Sequence, residues 1–207
     1  MPEQDQTEFF QFSQSVKAYF GDKAVRSAVD LLVAKGFVFA PSNDDEWSQI
    51  DTFYDACLAA QQTQIEFAKD LARLWEVVWG ARPGDLEPIA SDPASQALTL
   101  SPDVRWEEQY FERHFHLPHA KTVWLWVVLG DEPNELTKVE MAFDVREKNR
   151  SLVRRRKDEI LNQLSGWRFE HDAVRLTCEN SSAVALDLTT FCTEAARAVQ
   201  VIKQFEW

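Results

Sequence analysis

The sequence predicts an α+β protein. A long N-terminal helical hairpin packs with a mixed three- to four-stranded sheet, in the order α-α-β-β-β-α-β-α. Three observations predict this. Apolar residues recur at three- and four-residue spacing through the first 80 positions, the period of a helix with one buried face. After residue 104 the period changes to two, the repeat of a strand. Between the two regimes, Pro83, Pro88, Pro93 and Pro102 supply half of the eight prolines, and proline clusters interrupt both helices and sheets. The chain therefore divides into a helical region (1–80), a Pro-rich connector (81–103) and an α+β region (104–207).

Each element has its own signal. In residues 7–35, Phe9, Phe12, Val16 and Tyr19/Phe20 share one helical face. Gly21-Asp22 breaks the run, Asp22 caps a second stretch through Val25, Val29, Leu32 and Val33, and Gly36 stops it. Ser42-Asn43-Asp44-Asp45-Glu46 is a dense helix start, because small polar caps and first-turn acids satisfy free N–H groups and the helix dipole. Trp47, Ile50, Tyr54, Cys57, Ile65, Ala68, Leu71, Trp75 and Val78 then keep the helical period up to Gly80, with a candidate break near 59–63. In the connector one short helical turn is expected after Asp92.

Spacing in 104–117 (Trp106, Tyr110, His114, His116) favours a strand over a helix. Thr122–Leu129 is apolar on both faces and β-branched, as a central strand is. Asp131–Asn134 reads as a turn. In 136–146, Val139, Met141, Phe143 and Val145 alternate with polar residues, so one face is buried. Ser151–Leu164 reads as a helix stopped by Gly166, 167–178 as a strand, and the segment after Asp187 as a final helix. Trp75, Trp79, Trp124, Trp126 and Trp167 are assigned to the core or its edge. Trp124 and Trp126 lie opposite Val123, Leu125 and Val127, so both sheet faces require cover.

Composition narrows the classes of function. With 207 residues, 45% hydrophobic, 12% aromatic and only six glycines, the chain is neither disordered nor fibrous. Its net charge of −12 argues against broad binding to nucleic acid or anionic membranes. No basic-then-apolar leader opens the sequence and no apolar run approaches a membrane span, so a soluble cytoplasmic protein is expected. Cys57, Cys178 and Cys192 are widely spaced and odd in number, which fits free thiols in a reducing compartment. Charge is uneven. Residues 1–103 hold 7 basic and 17 acidic residues, and residues 104–207 hold 15 and 17, a net of −10 against −2. Arg146–Lys157 alone carries seven cations and one acid, Glu147.

Four constellations carry candidate chemistry. The acids Asp44, Asp45, Glu46, Asp51, Asp55 and Asp70 form a candidate surface for a basic protein partner, or an imitation of the phosphate array of DNA. The island Arg150, Arg154, Arg155, Arg156 and Lys157 is a candidate contact for phosphate, nucleic acid or an acidic partner, including a second copy of the chain. Within it, Arg154–Asp158 and Arg155–Glu159 are spaced to pair along a helix. His114, His116 and His119 are a candidate site for Zn or another divalent metal, with Glu112 as a fourth ligand, because imidazoles two apart on a strand point the same way.

The fourth rests on topology. A helix, three strands, a helix and a strand resembles the core of the PD-(D/E)xK nucleases. That resemblance implies metal-bound carboxylates, here Glu140, Asp144 and Asp131. The third strand reads Glu140-Met141-Ala142, without the lysine the motif requires. No phosphate-cradling glycine loop, nucleophile elbow or EF-hand loop is present. The expectation from sequence is a non-enzymatic acidic binding protein, of inhibitor, immunity or adaptor type. The alternative is a metal-dependent hydrolase or degenerate nuclease.

Overall fold

In the computed structural model, the structure describes residues 9–40, 48–80, 82–89, 110–129, 138–148, 150–179 and 186–207. The α+β class and the order of the main elements are those expected. The sheet is wider than expected and every pairing in it is antiparallel. Its order is β2 (Glu87–Pro88), β3 (Tyr110–Leu117), β4 (Lys121–Leu129), β5 (Lys138–Glu147), β8 (Ala173–Glu179) and β7 (Arg168–Glu170), with β6 (Arg150–Ser151) paired to the end of β5. Two-residue strands such as β2 and β6 leave no detectable period, so sequence patterning passes over them. A separate two-stranded ribbon joins β1 (Phe9–Phe10) to β9 (Leu186–Asp187).

The helices begin with α1 (Gln14–Gly21) and α2 (Lys23–Ala34). Asp22 caps α2 by accepting from the Ala24 and Val25 amides at 2.8 and 3.3 Å. Gly36, at φ +61°, takes the left-handed conformation that lets the chain leave the helix. Helix α3 (Ile50–Trp79) is continuous for 30 residues, about 45 Å. It does not break at 59–63, where Ala and Gln are strong helix formers. Thr63 there returns its hydroxyl hydrogen bond to the Ala59 carbonyl, at 2.9 Å. Helices α4 (Val153–Gln163) and α5 (Thr189–Gln204) complete the set.

Alternation decides what the sheet buries. Val123, Leu125 and Val127 of β4 and Val139, Met141, Phe143 and Val145 of β5 are fully enclosed. Phe67, Leu71, Leu74, Trp75 and Val78 of α3 join the same apolar cluster. Each such side chain contributes about 1.5–3 kcal/mol by leaving water. Trp75 stacks on Phe115 at 5.9 Å, and its indole N–H donates to the Leu125 carbonyl at 2.9 Å. Trp79 donates to the Trp126 carbonyl at the same distance. These bonds bolt the C-terminal half of α3 across the middle of the sheet. Trp167 is buried against Phe143, as expected of a core tryptophan. The described part of the connector, 82–89, is built into the molecule: it forms a short 3-10 turn (Pro83–Asp85) and then β2. The turn expected after Asp92 and the one at 131–134 lie outside the described residues.

Candidate functional site

The acidic candidates separate on folding. Asp44, Asp45 and Glu46 lie outside the described residues. Asp51 and Asp55 are exposed on α3. Asp70 is not a surface acid: it is 4% exposed, accepts from the Ser13 amide at 2.6 Å and pairs with Arg73 at 2.7 Å. Its place on the packed half of α3 turns it inward, where it ties α1 to α3. Tyr54, whose spacing assigned it to the buried stripe, is 55% exposed, and Leu58 is 63% exposed. Asp51, Tyr54, Asp55 and Leu58 fall at i, i+3, i+4 and i+7, one face of the helix. Only Cys57 and Ala60 are buried in this stretch. The N-terminal half of α3 therefore presents a stripe in which carboxylates alternate with large apolar groups.

The basic island is also redistributed. Arg154 pairs with Asp172 in the β7–β8 turn at 2.6 Å, not with Asp158. Arg156, not Arg155, engages Glu159, at 3.0 Å, and donates to the Glu206 carbonyl at 2.9 Å. Helix packing decides these partners, because the start of α4 lies against the β7–β8 turn and the chain end. Arg150, Arg155 and Lys157 are exposed, and no described side chain pairs with them. The first turn of α4 has no acid and no side-chain cap, so its arginines face the positive end of the helix dipole.

His114, His116 and His119 do not gather. His114 is buried, stacks on Trp124 at 4.1 Å and lies 3.3 Å from Glu112. His116 and His119 face a groove instead. Among the described residues, no group of three or more His, Cys, Asp or Glu side chains lies close enough to hold a metal ion. The two described members of the carboxylate constellation are also not brought together. Glu140 is clamped by Arg168 and Arg175, with the Thr177 hydroxyl at 3.3 Å. Asp144 sits four residues along the same strand, about 13 Å away by strand rise. Asp131 is outside the described residues.

Asp144 is fully enclosed. It accepts from the Ser151 hydroxyl and the Arg146 guanidinium, both at 2.6 Å. Burial pushes its carboxyl above the ordinary range, while those two hydrogen bonds and the charge of Arg146 pull it back. Arg146 in turn lies over the Trp124 ring at 3.7 Å. Trp124 thus has His114 and Arg146 in contact with its ring, which explains why this half-buried sheet face tolerates an indole.

Sequence reasoning missed the groove. It has a volume of about 1190 Å³ and runs between β2, the β3–β4 turn and the end of α5, lined by Asp85, Glu87, His116, His119, Lys121 and Trp207 among others. A smaller cavity of about 330 Å³, lined by Arg155, Arg156 and Trp207, shares the Trp207 wall. The groove's lining comes from three separate stretches of chain and the smaller cavity adds a fourth, so no local motif announces either. Lys203 closes one side by donating to the Gly84 carbonyl at 2.7 Å. No family model, curated protein or solved structure matches the chain.

Proposed function

We propose that this chain is a binding protein whose acidic helical stripe docks a basic protein surface. The observation that supports the reading is the exposed face Asp51–Tyr54–Asp55–Leu58. Large apolar groups on a solvated helix favour removal from water, and flanking carboxylates direct that burial toward a cationic partner. The packed half of α3 supports it further, since a recognition element held on a rigid base loses little entropy on binding. In the finer form of the reading, the partner is itself a DNA-binding protein and the carboxylates stand in for phosphates.

A photo-crosslinking residue at Tyr54, used in the source cells, tests the reading. It should capture one basic protein, and capture should fall with added salt and in the Asp51→Lys/Asp55→Lys variant. A crosslink indifferent to salt and to charge reversal would exclude the electrostatic docking. Displacement of the captured partner by duplex DNA would support the mimic; its failure would leave a plain protein contact. No observation favours the metal-hydrolase alternative, because the described members of its two ligand sets are separated or already engaged.

A further inference from the structure

One end of the sheet gathers cations that are distant in sequence. Lys121 opens β4 one residue before Thr122, which pairs with Arg146 at the end of β5. Arg150 pairs with Glu147 across the β5–β6 turn, where Lys148 stands exposed, and α4 then brings Arg155 to the same end. Among the described residues, the side chains of Lys121, Lys148, Arg150 and Arg155 take part in no ion pair, in a protein of net charge −12. Of these, Lys121 lines the larger and Arg155 the smaller of the two cavities that share Trp207. The Trp207 ring is held in place, its N–H donating to the Ile202 carbonyl at 2.6 Å and its ring centre lying 5.4 Å from that of Phe205, the two rings tilted to one another. Asp85 and Glu87, which line the larger cavity with it, are exposed carboxylates.

We infer that this end of the molecule binds single-stranded nucleic acid. Phosphates rest on the Lys121, Lys148, Arg150 and Arg155 rim, and a base enters the groove against Trp207. The combination of cationic rim and positioned ring is what unpaired strands require, since phosphate contacts supply affinity and a flat aromatic supplies a stacking platform. The groove carboxylates select within that class. Asp85 and Glu87 accept hydrogen bonds from exocyclic amino groups, which cytosine carries and thymine lacks. An acidic protein segment would meet the same cations but brings no planar base to stack on the ring.

Fluorescence anisotropy with labelled single strands of about 12 nucleotides tests the assignment. Oligocytidylate should bind more tightly than oligothymidylate, and binding should weaken steeply between about 50 and 200 mM salt. Lys121→Glu/Arg155→Glu should cost about tenfold or more, and Trp207→Ala about tenfold, with Trp207→Phe restoring most of the loss because it keeps a ring. Thermal melts of each variant confirm that the fold is intact. No binding at about 50 mM salt would overturn the proposal. So would binding that polyglutamate displaces equally well and that Trp207→Ala leaves unchanged, which would mark a general polyanion surface.

Discussion

Two carboxyls respond to pH in opposite senses, and each for a nameable cause. The Asp144 carboxyl is raised by burial, so its neutral form is favoured in the folded state. Its stabilising contribution is complete below the ordinary value of 3.8 and is lost as pH rises through the elevated folded value. Asp144→Asn should therefore gain in melting temperature relative to the parent as pH is raised from acid to neutral. The Glu66 carboxyl is held below its ordinary value of 4.5, first by the Ser15 hydroxyl and then by Gln62. Its contribution is complete above 4.5 and is lost as pH falls through the lowered folded value. Glu66→Gln should cost stability at neutral pH and progressively less in acid. Melts of both variants across the acid range check the two signs together.

Helix α3 is two elements in energetic terms. Its C-terminal half is clamped to the sheet, and Trp75→Ala there should cost about 3–5 kcal/mol in denaturant unfolding, because a stacked, hydrogen-bonded indole leaves a cavity. Its N-terminal half is solvated, and Tyr54→Ala should stay within about 0.5 kcal/mol of the parent. A large loss at Tyr54 would mean that the residue packs, and would remove the exposed stripe. The turn that follows α3 is equally specific. Gly84 sits at φ +53°, and a Cβ added there would meet the Val199 side chain at 2.5 Å. Gly84→Ala should destabilise by about 1–3 kcal/mol, by pushing α5 away from the groove it helps to form.

At the scale of the whole molecule, charge is sorted onto separate surfaces. The acidic and apolar stripe belongs to α3, while the cationic rim belongs to one end of the sheet and the start of α4. The two sites should act independently. Lys121→Glu/Arg155→Glu should weaken oligonucleotide binding by about tenfold or more and leave the crosslink through Tyr54 unchanged. Loss of both would indicate one composite surface. Among the described residues, no helix is long and apolar enough to cross a membrane.

Period and punctuation in the sequence determined the α+β class, the four long strands, the inward face of β5, the Asp22 cap and the stop at Gly36, because each depends on residues within a few positions of one another. The concentration of cations in 146–157 was equally legible. Tertiary structure alone decided that Asp70 is buried while Tyr54 is exposed, since both lie on one helix and only packing distinguishes its halves. It decided that His114 stacks on Trp124 instead of joining His116 and His119. It also decided that Lys121, Arg155 and Trp207 border one pair of cavities. Such arrangements depend on which distant segments the apolar core draws together, and no short stretch of sequence encodes that choice.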